Sequence, residues 1–175
     1  IACLLLVAHA LLGAIYSVVV PPWEAHDEWA HYKYVEYVAR HWRLPPPGER
    51  LTTVYRYDEA TQPPLYYVLT APVVALAAPR DGLEPVPNPY ADVGTGAAGV
   101  NFAVHDPAGE RFPWRGTVLA LHLARLASVA MSTAGLWPIY LLGRWLAPRQ
   151  PAVAVAALAV AAFSPQGLFI GSVVT

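Results

Sequence analysis

The stretch WEAHDEWAHYKYVEYVARHW, residues 23–42, has the spacing of an amphipathic helix. On a helical wheel Lys33, Glu36 and Arg40 fall on one side, where Glu36 precedes Arg40 by four residues. That spacing predicts a solvated face with a favourable ion pair. The opposite side is apolar, and we expect it to dock on protein or on membrane. It carries Val35, Val38, Ala39 and Trp42.

Toward the start of this helix the docking side becomes acidic. It carries Glu24, Asp27, Glu28 and His31. Burying charged groups costs free energy unless they are paired or used. One interpretation is that the acids interact favourably with the positive end of the helix dipole and that His31 is a hydrogen-bonding partner of Asp27. The other interpretation is functional, because a carboxylate whose pKa is tuned by burial can take a proton from an acceptor hydroxyl group.

The same cluster permits a metal site. Helical spacing would let Glu24, Asp27 and His31 present two carboxylates and an imidazole on one face. Oxygen-rich sites favour Mg²⁺ or Mn²⁺, and an added imidazole widens the choice of metal. Spacing alone permits this site without requiring it, so a divalent cation is an optional cofactor at this point.

Composition places the chain among membrane proteins. Of its 175 residues, 56% are hydrophobic and only 13% are charged, which is too apolar for an ordinary soluble domain. The apolar residues concentrate in the ranges 1–20, 118–146 and 152–174, each long enough to cross a bilayer core of roughly 30 Å as a helix. We therefore predict an all-α membrane protein, with these 175 residues as the N-terminal part of a longer multi-pass domain.

The orientation follows from the distribution of charge. The short link 143–151, which includes the end of the second span, holds Arg144 and Arg149 and no acidic residue, so the positive-inside rule places it in the cytoplasm. The loop 21–117 then lies outside the cytoplasm. It contains all twelve acidic residues and eight of the eleven basic ones, and it has no basic run that would indicate nucleic acid.

Residues 63–78 test this topology, because they are apolar enough to be mistaken for a span. They are too few to cross a bilayer and are interrupted by Pro72, so we predict a helix lying along the membrane surface, like the juxtamembrane helix 24–42. Within the second span Pro138 predicts a kink, and small residues predict the close approach of another helix. These small residues are Ala124, Ser128, Ser132 and Gly135.

Four short motifs lie in order along the chain. They are Asp27-Glu28 followed by Tyr32, Gln62-Pro63-Pro64-Leu65-Tyr66-Tyr67, Arg125-Leu126-Ala127-Ser128, and Phe163-Ser164-Pro165-Gln166. A span, an acidic pair that opens a juxtamembrane helix and a Pro-Pro-Leu-aromatic turn together resemble the N-terminal pattern of the GT-C fold glycosyltransferases. The pattern is most similar to the protein O-mannosyltransferases and to the aminoarabinose transferases acting on lipid A, which use polyprenyl-phosphate sugar donors.

The resemblance implies a GT-C type transmembrane helix bundle in the inner membrane of a bacterium. Asp27 would be the catalytic base, Glu28 would support it, and the helix after Pro63 would line the donor site. The implied reaction transfers a sugar from a polyprenyl-phosphate carrier to a protein, lipid or glycan acceptor outside the cytoplasm. The candidate substrate-binding residues are His31, Arg56, Gln62, Tyr66 and Arg125.

One position departs from the pattern of the family. Several relatives have a Lys before the Pro-Pro pair, near the donor phosphate, whereas this chain has Gln62, whose neutral amide cannot neutralise a phosphate. Arg56 or Arg125 would then supply the charge. Arg125 has a second interpretation, since an arginine about two turns inside a span can reach the interface with its long side chain. We expect structural roles for His105 and His122.

Two other classes of protein fit the same features. A transporter or flippase for a lipid-linked saccharide would use Arg125 and the acidic cluster to guide its substrate without bond chemistry. A non-catalytic membrane protein of an envelope assembly is the third possibility.

The topology predicts the accessibility of single cysteines. With the native Cys3 replaced by Ser, a cysteine introduced within residues 92–110 should react with a membrane-impermeant maleimide added to intact cells. This result is expected because the whole range lies in the extracytoplasmic loop. Labelling that occurs only after permeabilisation would overturn the orientation.

Overall fold

The computed structural model describes residues 1–52, 54, 59–91 and 100–175. Within these residues the chain is mostly helical, as the sequence predicted, with one pair of very short strands. The elements in order are α1 (Ala2–Val19), α2 (Glu28–His41), α3 (Leu65–Ala77), β1 (Val86–Pro87), β2 (Ala103–Val104), α4 (Pro107–Glu110), α5 (Gly116–Leu146), α6 (Pro151–Ala162) and α7 (Pro165–Ile170).

The chain divides into two compact units. The first unit comprises Ile1–Val19 and Arg125–Val173, and the second comprises Val20–Ala124 and Val174–Thr175. Helix α5 runs through the boundary, so its first two turns belong to the second unit and the rest to the first.

The first unit contains α1, α6, α7 and most of α5. In the described part of the chain, α1 and α5 are the two helices long and apolar enough to cross a membrane. At about 1.5 Å per residue, α1 is about 27 Å long and α5 about 46 Å. Helix α5 continues through Pro138 without interruption. A small core forms where Leu136 of α5 meets Leu158 and Ala162 of α6, with Leu5 and Leu6 of α1 packed against it.

The range 152–174, predicted as one continuous span, is broken. Helix α6 ends at Ala162, and the chain resumes as α7 only at Pro165. Ser164 has an extended backbone (φ −61°, ψ 119°) because the ring of a following proline disfavours the helical conformation. Pro165 also lacks the N–H group that would continue the helical ladder. The range is therefore not one continuous helix, and the Ser-Pro pair is the reason; its role as a third span stays a prediction.

A carbonyl group at the end of α6 is satisfied by a side chain of α1. His9, which is buried, places Nδ1 2.8 Å from the Ala162 carbonyl oxygen and Nε2 3.1 Å from Oγ of Ser132 in α5. Since a carbonyl oxygen only accepts, Nδ1 carries the proton and Nε2 accepts from the serine hydroxyl group. One imidazole thus connects α1, α5 and the end of α6.

The small residues of α5 behave differently from one another. Ala124 and Ser128 are buried and Ser132 holds His9, but a side chain added at Gly135 would meet open space. The closest backbone approach is instead at Gly143, where an added Cβ would lie 2.7 Å from the Cα atom of Ala154 in α6. The predicted small-residue surface exists, but its tightest point lies two turns beyond the predicted residues.

The second unit is built on α2 and α3, which pack against each other. Helix α3 buries Tyr67, Thr70, Ala71 and Val74, a spacing of three and four residues that defines one helical face. Its other face is also apolar but exposed. The exposed side chains are Leu65, Val68, Leu69 and Leu76.

The docking face of α2 is found as predicted for Val35, Val38 and Ala39, which are buried. Trp42 is a correction, since it is 68% exposed. It adopts a left-handed conformation (φ 52°) that ends α2, and its N–H donates to the Val38 carbonyl at 2.8 Å, so its side chain leaves the helical face. The turn at the end of the helix therefore explains the error.

The face predicted to be solvated is only partly so. Glu36 is 6% exposed and accepts hydrogen bonds from Lys33 at 2.6 Å and from Arg40 at 2.7 Å. The predicted Glu36–Arg40 pair is present. Its carboxylate is nevertheless buried, because the two cations on either side satisfy it.

The connection between α3 and α5 contains structure that the sequence did not predict. Strands β1 and β2 pair antiparallel, with Val86 opposite Val104 and Pro87 opposite Ala103. The Asp81 carboxylate accepts from the backbone N–H of Thr117 at 2.9 Å, which caps the start of α5.

A pair of glycines in α5 provides a test of the first unit. Gly143→Ala should lower the free energy of unfolding by about 1–3 kcal/mol, because the new methyl group meets the backbone of α6. Gly135→Ala should be neutral or stabilising by up to about 1 kcal/mol, since the site is open and Ala favours helix. The two variants are compared by unfolding in detergent micelles. Equal behaviour of the two would contradict the packing of α5 on α6.

Candidate active site

The start of α2 lies later than the helical wheel predicted. Helix α2 begins at Glu28, and both Trp23 (φ 68°) and Asp27 (φ 59°) have left-handed backbone conformations. Such residues interrupt a right-handed helix, so Glu24 and Asp27 precede α2 and do not share a helical face with His31. The prediction of one acidic helical face was therefore wrong. The acids are brought near the start of α2 by turns instead.

Glu28 is the most buried of these acids, with no exposed surface. Its Oε2 accepts from the backbone N–H of Trp23 at 3.2 Å, and its Oε1 accepts from that of Val174 at 3.2 Å. A carboxylate is acceptor-only, so both contacts satisfy it in its charged form. Glu28 thus joins the segment before α2 to the final residues of the chain.

Asp27 differs in its exposure. Its side chain is 27% exposed, and one oxygen lies 3.0 Å from Nε2 of His26, which is itself 76% exposed. The structure gives Asp27 no side-chain hydrogen bond to the first turn of α2, so it does not act as a helix cap. A left-handed backbone at a residue other than glycine is uncommon and costs free energy, and such positions concentrate at functional sites.

The Glu24 carboxylate is hydrogen-bonded to the segment around β2. Its Oε2 accepts from the N–H of Phe102 at 2.9 Å, and its Oε1 accepts from that of Ala103 at 3.0 Å. The same Oε1 lies 2.9 Å from Nε2 of His105. With three partners already, Glu24 faces β2 and His105.

The residues predicted to hold a metal, Glu24, Asp27 and His31, are not placed together in the described part of the chain, and the divalent cation stays a prediction. Glu24 is held by the β2 segment, Asp27 pairs with His26, and the Nδ1 of His31 contacts Tyr67. Across residues 1–52, 54, 59–91 and 100–175, no group of three or more His, Cys, Asp or Glu side chains is placed to hold a metal ion. The reason is the early turn, which sends the Glu24 carboxylate away from the helix.

His31 is joined to α3. Its Nδ1 lies 2.8 Å from the hydroxyl oxygen of Tyr67, and the Tyr67 ring stacks on that of Tyr34 with centroids 3.8 Å apart. Burial lowers the pKa of His31 below its usual 6.5, and the negative charges of Glu59 and Asp27 oppose part of this shift. Burial also raises the pKa of Tyr67. Neutral His31 therefore accepts a hydrogen bond from the Tyr67 hydroxyl group at Nδ1 and carries its own proton on Nε2.

Glu59 is a neighbour of this pair that the sequence did not single out. Its charge acts on both His31 and Tyr67, and its Oε2 accepts from the amide of Gln62 at 2.8 Å. The structure thus relates Gln62 to His31 through Glu59. In the sequence Glu59 lies two residues before a Thr-Gln pair and belongs to no motif, so only the turn formed there reveals it.

The remaining predicted site residues have separate places. Tyr66 packs edge-to-face on Tyr67, with ring centroids 5.4 Å apart. Arg56 lies outside the described residues. Arg125 belongs to the first unit, where it is wholly buried and donates from Nη1 to the Ser17 carbonyl oxygen at 3.0 Å. The guanidinium group turns onto the end of α1, and the interpretation that Arg125 reaches an interface stays a prediction.

The second unit also contains a cavity of about 580 Å³. Its walls carry charged and aromatic groups from the segments on either side of the strand pair. Among the residues that the structure describes, no predicted site residue lines this cavity. Among its lining residues are Trp23, Asp81, Glu84, Glu110, Phe112 and Arg115. Trp23 connects the cavity to the start of α2, since its indole contacts Trp29 and Tyr32 of that helix. Burial raises the pKa of Tyr32, so its hydroxyl group stays protonated.

The two adjacent acids should respond differently to amide substitution. Glu28→Gln should lower the free energy of unfolding by about 1–3 kcal/mol, because an amide NH₂ would face a backbone N–H group in a buried site. Asp27→Asn should change it by no more than about 0.5 kcal/mol, since Asn tolerates the left-handed conformation and the side chain is partly exposed. Thermal unfolding in detergent compares them. Equal losses would contradict the structural role of Glu28.

No family model, no curated protein and no solved structure matches the chain.

Proposed function

We propose that the chain is part of a GT-C type membrane glycosyltransferase. In this proposal it transfers a sugar from a polyprenyl-phosphate donor to a protein, lipid or glycan acceptor on the extracytoplasmic side of a bacterial inner membrane. The order of the four motifs along the sequence supports it. The observation that carries it is the state of Asp27: a partly exposed carboxylate on a strained backbone, next to a fully buried one.

The proposed topology agrees with the lengths of the helices. Helices α1 and α5 are the proposed spans of a multi-pass protein, and the second unit is the extracytoplasmic loop. Helix α3, with 13 residues, is about 20 Å long, which is short for a bilayer core of roughly 30 Å. It has one apolar face buried in protein and another exposed, which suits a helix lying in the membrane surface.

The proposed chemistry is displacement at the anomeric carbon of the donor sugar. An acceptor hydroxyl oxygen forms the new bond to this carbon, the bond between the carbon and the phosphate oxygen breaks, and the lipid phosphate leaves with that electron pair. The hydroxyl proton passes to Asp27, which acts as general base. A partly exposed carboxylate can meet an incoming hydroxyl group, whereas both oxygens of Glu28 already accept backbone hydrogens.

His31 and its neighbours are the proposed acceptor-side contacts. Neutral His31 carries its proton on Nε2, which can donate to a sugar or acceptor oxygen, while Tyr67 holds the ring in place. Gln62 and Tyr66 are proposed contacts for the donor, together with Arg56. Since the residues predicted to hold a divalent cation are not placed together in the described part of the chain, no step of this proposal passes through a metal.

A transporter for a lipid-linked saccharide is the second candidate. The observation that favours it is Arg125, whose guanidinium group is wholly buried within an apolar helix that is long enough to cross a membrane. Ionisable groups in that position often mark a substrate path. Such a protein would move the lipid-linked sugar across the bilayer and leave its glycosidic phosphate bond intact.

Substitution of Asp27 tests the enzyme proposal. In liposomes supplied with a polyprenyl-phosphate sugar and acceptor, Asp27→Asn should lower the rate of sugar transfer by about 10²–10⁴-fold, because an amide cannot take the proton. Glu84→Gln, which alters an exposed carboxylate of the same unit, is the matched control and should transfer sugar at the wild-type rate. Full activity of Asp27→Asn would refute the role of general base.

The same liposomes separate the two candidates. Movement of the lipid-linked sugar across the bilayer without release of lipid phosphate, by wild type and Asp27→Asn alike, would favour the transporter. Release of lipid phosphate that depends on Asp27 would favour the transferase.

A further inference from the structure

His105 bridges two carboxylates in the second unit. Its Nε2 lies 2.9 Å from Oε1 of Glu24, and its Nδ1 lies 2.9 Å from Oε2 of Glu110. All three side chains are largely buried, with 14% of His105, 13% of Glu24 and 19% of Glu110 exposed. The imidazole follows β2 directly and so lies between the segment before α2 and the end of α4.

Both contacts can be hydrogen bonds only in one protonation state. Glu24 also accepts the N–H groups of Phe102 and Ala103, and Glu110 accepts that of Asp106 at 3.1 Å, so both carboxylates already act as acceptors. A charged carboxylate has no proton to donate. Both contacts are therefore hydrogen bonds to charged carboxylates when both ring nitrogens carry hydrogen, that is, when His105 is an imidazolium ion.

Loss of the ring proton reverses one of these contacts. A neutral imidazole keeps one N–H and presents a lone pair from its other nitrogen. If Nε2 keeps its hydrogen for Glu24, the Nδ1 lone pair faces the Glu110 carboxylate, and an attractive contact becomes a repulsive one. Histidine is the side chain that makes this change of charge between about pH 5 and pH 8.

We propose that Glu24, His105 and Glu110 form a pH-sensitive latch. Protonated His105 holds the β2 segment and α4 against the segment that precedes α2, and deprotonation releases them. The charged groups that face or adjoin the ring are Glu24 before α2, Glu110 in α4, Asp106 at the cap of α4 and Arg111 directly after it. Among the residues that the structure describes, Glu24 and Glu110 are the ones that contact the ring nitrogens.

The latch bears on two features of the second unit. Glu24 is three residues before Asp27, so release of Glu24 would loosen the backbone that carries the strained carboxylate. Glu110, Asp106 and Val104 line the cavity of about 580 Å³, so release of α4 would also change its wall. The inference concerns this movement and stands whether or not Asp27 transfers a proton.

Hydrogen exchange measures the latch directly. With the protein in lipid nanodiscs, the backbone hydrogens of Phe102 and Ala103 should be about tenfold to hundredfold better protected at about pH 5.5 than at about pH 8.5, after correction for intrinsic exchange. This range corresponds to the loss of a charge-assisted hydrogen bond. Protection within α5 serves in every sample as the check that the protein is folded.

Three variants make the test specific. His105→Gln should show low protection at both pH values. Glu110→Gln should keep protection at high pH and lose most of its pH dependence, because an amide can donate to the neutral ring or accept from the charged one. His41→Gln, at an exposed histidine in the last turn of α2, should behave as wild type.

Two outcomes would overturn the latch. One is equal protection of Phe102 and Ala103 in wild type at the two pH values. The other is pH-dependent protection that persists unchanged in Glu110→Gln, which keeps the local packing and is expected to fold even if His105→Gln does not.

Discussion

The second unit depends on one buried carboxylate, that of Glu28. A charge with no exposed surface is stable only if its lone pairs are used, and here they accept backbone hydrogens from Trp23 and from Val174. These contacts draw the chain back over the start of α2. The left-handed turns at Trp23 and Asp27 are the backbone conformations that this return requires. The position of Asp27 thus follows from the burial of its neighbour.

The acids before and within the first turn of α2 consequently have different roles, although they are close in sequence. Glu28 organises backbone, Glu24 holds the β2 segment and His105, and Asp27 keeps part of its carboxylate accessible beside His26. A charged group that is fully satisfied stabilises a fold, whereas one on a strained backbone with an exposed oxygen is suited to react. This division is the physical basis for assigning chemistry to Asp27 rather than to the cluster as a whole.

The sequence predicted the elements better than it predicted their ends and contacts. Long apolar runs and periodic burial locate α1, α2, α3 and α5 within a few residues, because those signals are repeated over many positions. Individual residues determine where the helices begin and end. Ser164-Pro165 interrupts the third apolar run, and because Asp27 has a left-handed backbone, α2 begins only at Glu28. The two-residue strands are too short to show an alternation of apolar and polar residues. Partners such as His31 and Tyr67, 36 residues apart, are brought together by the packing of α2 on α3, and the periodicity of each helix does not give their relative orientation.

The bond from His9 to the Ala162 carbonyl has a consequence for folding. The two groups are separated by 153 positions in the chain, so the bond can close only after α6 has been synthesised. An unsatisfied carbonyl is costly in an apolar environment, so a chain that lacks α1 loses the imidazole donor for this oxygen at the end of α6.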